Sequence, residues 1–99
     1  MTYRVKFTER ARQDLHRLYA YMLDRDEDSA ARALEAITAS MTVLERFPFS
    51  CRKAWGNSPL LRELVVPFGS SGYVVLFRID GSDTVTIAAI RHQREEDYH

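Results

Sequence analysis

Positions 3–7, "YRVKF", alternate: Tyr3, Val5 and Phe7 share one side and Arg4 and Lys6 the other, the two-residue period of a half-buried strand. Thr8 then has the chemistry of a helix N-cap. Behind it Glu9 stands where the helix dipole favours an anion, and Ala11, Leu15, Leu18 and Met22 recur at helical spacing, predicting a helix over roughly 9–25. The acidic break "DRDED" ends it. Asp26 is placed to cap a second helix, whose stripe of Ala30, Leu34, Ile37, Met41 and Leu44 stops before Pro48. A break this short folds the two helices into an antiparallel hairpin.

The second half changes period. After an irregular segment, "FPFSCRKAWGNSP", come three strand-like runs: "LLRELVV", "YVVLFRI" and "TVTIAAIRH". The turn sequences "PFGSSG" and "DGSD" separate them and imply an antiparallel meander. Pro67 cannot donate a ladder hydrogen bond and is expected to mark the end of its strand. Strict alternation places Tyr73, Val75, Phe77 and Ile79 with Val85, Ile87 and Ala89 beneath the helices. The other face is then expected to carry Val74, Leu76 and Arg78 with Thr84, Thr86, Ala88, Ile90 and His92. Arg62 and Glu63 fall on opposite faces, and the register is open. The fold expected is α+β: an N-terminal strand, an antiparallel two-helix hairpin, a three-stranded antiparallel meander and a short C-terminal tail or helical turn, with residues 1–99 as one domain.

Composition narrows the function. With 14 basic against 14 acidic residues among 99, the chain as a whole exerts no strong field on polyanions, and only a local basic patch could do so. No stretch approaches the roughly 20 apolar residues that span a bilayer, and "MTYRVKF" lacks a signal peptide's apolar run, so a cytoplasmic protein without membrane contact is expected. One cysteine, Cys51, excludes an internal disulfide, and three dispersed histidines without paired spacing offer no metal site; no cofactor is expected. His16 reads as a surface residue and His99 as a chain end. Arg46, Arg52 and Lys53 make the densest basic cluster, close to Trp55.

The order strand, helical hairpin, meander, together with "RELVVPF" at 62–68, "GYVVLFRID" at 72–80 and "IRHQR" at 90–94, resembles the ParE branch of the RelE/ParE superfamily, toxins of bacterial type II toxin–antitoxin modules. The resemblance covers nearly the whole chain. It implies a cognate antitoxin, a homodimer or toxin–antitoxin hetero-oligomer as possible assemblies, and DNA gyrase as the target of a toxin that acts by binding. The sister RelE branch implies instead the ribosome and messenger RNA as target, with endonuclease chemistry. Cleavage at a 2′-hydroxyl needs proton transfer and cations to offset charge on the phosphorane. Aligning "SSGY" at 70–73 with RelE-type sequences puts three of their basic positions at Val65, Pro67 and Val74, which cannot stabilise a phosphate. His92, Arg94 and Tyr98 would then be the residues left to a nuclease. For a binding toxin no catalytic residue is expected. Target contacts are expected among Arg62, Arg78, Arg91, His92, Arg94 and Trp55, and antitoxin contacts at Tyr19, Tyr21 and Leu23, too many large side chains for one core stripe to bury.

Overall fold

The computed structural model describes residues 2–54, 56 and 58–94. Strand β1 (Arg4–Phe7) leads into helices α1 (Glu9–Leu23) and α2 (Glu27–Arg46); a 3-10 turn over Pro48–Ser50 and the short β2 (Arg52–Lys53) follow, then β3 (Leu61–Phe68), β4 (Ser71–Asp80) and β5 (Thr84–His92). All strands join one sheet in the order β1-β5-β4-β3-β2, with β1 parallel to β5 and the other neighbours antiparallel. This is the α+β arrangement of strand, helical hairpin and meander. The segment 47–59, read as irregular, contributes β2, a strand of only two residues with no periodicity to reveal it.

Local chemistry accounts for the helix boundaries. The Thr8 hydroxyl accepts from the Ala11 amide at 3.0 Å, and an Asp26 carboxylate oxygen accepts from the Asp28 amide at 3.2 Å, so each helix starts on a side-chain cap. Pro48 blocks extension of α2, which closes at Arg46.

Both helices lie on one side of the sheet. There Tyr73, Val75, Phe77 and Ile79 of β4 and Val85, Ile87 and Ile90 of β5 meet Ala11, Leu18, Ala33, Ile37 and Leu44 in a single buried cluster. Each large apolar side chain removed from water here contributes about 1.5–3 kcal/mol. Leu34, expected in that stripe, is exposed; Ala33 takes its place, and Leu34 borders a small apolar cleft between the helices with Leu15, Tyr19 and Ala30.

Pro67 does not end its strand. β3 continues to Phe68 and turns back through residues 69–70, with Gly69 at φ 62°. The reason lies in the direction of its backbone groups. The Leu60 carbonyl accepts from Ile79 of β4, and the Leu61 carbonyl from Ala54, so odd-numbered residues of β3 point their amides away from β4. At Pro67 that side extends beyond the two residues of β2, and no ladder donor is required there.

Candidate functional site

A single irregularity in β5 decides which side chains form the outer face of the sheet. Val85 lies opposite Ile79 and Ile87 opposite Phe77, but Ala89 lies opposite Leu76 and Ile90 opposite Val75, so Ala88 is an inserted residue, a β-bulge. Beyond it the alternation reverses. Ile90 joins the core beneath the helices, and His92, directly opposite Tyr73, also falls on the helix side. The expected grouping of Ala88, Ile90 and His92 with Arg78 is therefore corrected: Ala89 and Arg91 take the outer face instead. The signal was present in the spacing of Val85, Ile87 and Ile90, two positions and then three, with small alanines between.

His92 is held by this chain on the helix side. The Arg94 amide donates to its Nδ1 at 3.2 Å, which leaves the proton on Nε2 to donate to the Ser71 hydroxyl at 3.0 Å, and the ring meets Tyr73 edge-on at 5.6 Å between centroids. Both ring nitrogens are engaged within the fold. A general acid or base would have to break one of these bonds to act.

Register now fixes the outer face. Across it run Val65, Val74 and Arg91; then Glu63, Leu76 and Ala89; then Leu61, Arg78 and Thr86. Arg52 is added beside Glu63, and Arg4 and Lys6 beside Thr84 and Thr86. The described residues thus place the cations Arg4, Lys6, Arg52, Arg78 and Arg91 on this face, against the carboxylates Glu63 and Asp80. A chain of zero net charge presents an electropositive sheet face. Sequence reasoning missed Arg4 and Lys6 as members, because nothing local to β1 says that it docks beside β5. Val65, Pro67 and Val74 do share this face, so the positions that lack cations cluster together.

Arg78 has its carboxylate. Its Nε donates to Asp80 at 2.7 Å, and the other Asp80 oxygen accepts from the Thr86 hydroxyl at 2.5 Å. The Thr86 hydrogen bond first, and then Arg78, hold the Asp80 carboxyl below its ordinary value. Because the folded-state value is depressed, the pairing contributes at pH above the ordinary carboxylate range and is lost as pH falls through the folded value. Thr86→Val is expected to raise the Asp80 midpoint towards that range in a carboxyl-carbon NMR titration, with Arg78 still in place; an unmoved midpoint would show the hydroxyl to be irrelevant.

The remaining candidates divide. Arg62, opposite Phe77, lies on the helix side and spends its guanidinium on the carbonyls of Pro59 at 2.7 Å, Cys51 at 2.8 Å and Phe49 at 3.1 Å, with Phe49 beneath it. It staples the 47–62 segment together and is thereby withdrawn from the outer face. Arg94 is exposed in the turn after β5. Trp55 and Tyr98 lie outside the described residues. Cys51 is buried, which pushes its thiol up and leaves it unreactive. Among the described residues no cluster of His, Cys, Asp or Glu could hold a metal ion, and no helix is long and apolar enough to cross a membrane.

Among the described residues large apolar side chains are exposed on the helical hairpin and beside the basic cluster. On the helical hairpin Tyr19 is 37%, Tyr21 57% and Leu23 41% exposed; beside the basic cluster Phe47 is 64% and Phe49 53% exposed. The sequence did not single out Phe47 and Phe49.

The geometry matches known proteins along its length. The family model for the ParE toxin of type II toxin–antitoxin systems of the parDE kind matches residues 5–97. The chain belongs to this ParE toxin family. Curated relatives of the toxin include Toxin RelE1 of Caulobacter vibrioides, 34% identical over 97% of this chain and 99% of the relative, and Toxin RelE3 of the same organism, 37% identical over 92% and 95%. Among solved structures, a chain of the chromosomal ParDE system from P. aeruginosa superposes with a TM-score of 0.72 at 20% identity, covering 91% of this toxin and 95% of that chain. The RelBE2 toxin–antitoxin complex from Mycobacterium tuberculosis gives 0.66 at 28% identity, covering 94% and 100%. The toxin is thus a type II toxin of the RelE/ParE superfamily, with relatives named for both branches.

Proposed function

We propose that this toxin arrests growth by binding and inhibiting DNA gyrase, without chemistry of its own, and that a cognate antitoxin neutralises it. The observation that carries this reading is the outer face of the sheet: the exposed cations Arg4, Lys6, Arg52 and Arg78 around an apolar centre in which Val74, Leu76 and Ala89 are buried and Val65 is half-buried, and no proton-transfer pair among the described residues. Such a face suits recognition of an acidic surface. It lacks the dense cationic frame that a phosphorane needs, and the one histidine of β5 is engaged on the opposite side. The antitoxin is inferred from the module to which the family belongs and from the exposed apolar residues of the hairpin, Tyr19, Tyr21 and Leu23.

A second reading, ribosome-dependent cleavage of messenger RNA, is favoured by the names of the two Caulobacter relatives. Purified toxin is expected to inhibit gyrase supercoiling, and expression without antitoxin to halt replication and induce the damage response while translation continues at first. Arg78→Ala is expected to lower toxicity while the melting transition stays close to the parent's, since an exposed ion pair contributes only about 0–1 kcal/mol. Early cleavage of messenger RNA on ribosomes, with gyrase untouched, would transfer the assignment to the second reading. Full toxicity of Arg78→Ala would move the contact surface elsewhere.

A further inference from the structure

The bulge in β5 is held by helix α1 through three contacts. The Ile87 carbonyl accepts from the Thr8 amide at 3.0 Å, the Ala88 carbonyl from the Thr8 hydroxyl at 3.0 Å, and the Ile90 amide donates to Asp14 Oδ2 at 2.9 Å. Among the described residues Asp14 is the one charged residue that is buried, at 7% exposed. Placing a carboxylate there carries a desolvation cost, offset by the Ile90 amide and by Arg10 and Arg17, each 3.6 Å away. Thr8 is already the N-cap of α1, donating and accepting through the same hydroxyl.

We propose that Asp14 is a positioning residue: by capturing the Ile90 amide it stabilises the bulged register and so delivers Arg91, rather than His92, to the target-facing side of the sheet. The choice follows from parity. In an unbroken ladder continuing from Val85–Ile79 and Ile87–Phe77, Arg91 would stand opposite Tyr73 on the helix side, where a guanidinium would displace core, and His92 would stand outside. With Ala88 looped out, Arg91 lies opposite Val74 and His92 packs against Tyr73. The bulge leaves an amide and a carbonyl that the neighbouring strand does not take, and α1 supplies an acceptor and a donor at those two points. The same residues thus set both the start of α1 and the orientation of the last four residues of β5. The functional half of this inference rests on the proposed target-binding role of the outer face; the structural half does not.

The test uses purified toxin and three variants. Asp14→Leu removes the acceptor at similar volume, Asp14→Asn retains a carbonyl oxygen, and deletion of Ala88 removes the inserted residue with Asp14 intact. In Asp14→Leu, amide exchange at Ile90 is expected to accelerate by at least about tenfold relative to Val85, with a weakened Tyr73–His92 ring contact by NMR and a loss of target inhibition well below its melting temperature. Asp14→Asn is expected to restore all three. Deletion of Ala88 takes out the looped residue and leaves Ala89, Ile90, Arg91 and His92 opposite their present partners, so the Tyr73–His92 contact is expected to persist, and this variant reads the register even if Asp14→Leu fails to fold. Loss of that contact in the deletion variant, or wild-type inhibition by folded Asp14→Leu, overturns the proposal. Absence of inhibition by the parent toxin refutes the target reading and leaves the NMR measure of the clamp intact.

Discussion

Gly72→Ala is expected to lower the melting temperature by on the order of 15 °C, the largest effect of a methyl added at any of the four glycines. A Cβ at Gly72 would stand 2.1 Å from the Val66 carbonyl oxygen, 3.0 Å from its carbon and 3.1 Å from the Phe68 nitrogen. All three are backbone atoms of the opposing strand, so no side chain can swing aside, and relief requires the β3–β4 hairpin to open at its tightest point. Forced overpacking of this kind costs about 3 kcal/mol or more. Gly69→Ala is the control: nothing lies within 4 Å of its added carbon, and only the positive φ of 62° is strained, a cost of about 1–2 kcal/mol. A thermal melt that ranks Gly69→Ala below Gly72→Ala would show that the close approach has been misjudged.

The second large effect concerns association. If the exposed hairpin residues anchor the antitoxin, Tyr21→Asp combined with Leu23→Asp is expected to weaken binding by on the order of 100-fold, since loss of apolar anchors at an interface centre costs several kcal/mol. Both side chains are largely exposed, so the melting transition of the toxin itself should hardly move. Titration calorimetry with the antitoxin measures the effect directly. Unchanged affinity, together with a large loss in Phe47→Ala with Phe49→Ala, would place the antitoxin on the patch beside the basic cluster.

How much of this was legible beforehand can be argued residue by residue. The caps at Thr8 and Asp26, the apolar stripe of α1 and the face of Tyr73, Val75, Phe77 and Ile79 follow from local chemistry and period, and the structure has them as expected. Three features depended on distant partners. β2 is too short to carry a period and exists because β3 offers Arg62 and Glu63 an edge. Pro67 is tolerated within a strand only because β2 stops short of it. The position of β1 next to β5 is set by packing of Val5 and Phe7 against the core, which no window around β1 contains. The candidate face was read half correctly. Arg78 emerges where alternation puts it, but strict alternation runs through Ala88, where the apolar spacing lengthens by one. That step put His92 on the outer face and left Arg91 without an assigned side.

The pairing of β1 with β5 also bears on when the toxin becomes able to act. Thr8 and Ala88, which share a hydrogen bond, are 80 positions apart in the chain, and the parallel ladder from Arg4–Thr84 to Phe7–Ile87 spans a similar distance. Contacts of such long separation close late, because the loop between them must lose its freedom before the pairing returns any stabilisation. On the ribosome the first strand made waits for the last one, and Arg4 and Lys6 reach their places beside Thr84 and Thr86 only after β5 has emerged. A nascent chain therefore lacks the assembled face, and if the antitoxin docks on the hairpin as proposed, the interval between synthesis and strand closure is time in which it engages the toxin first.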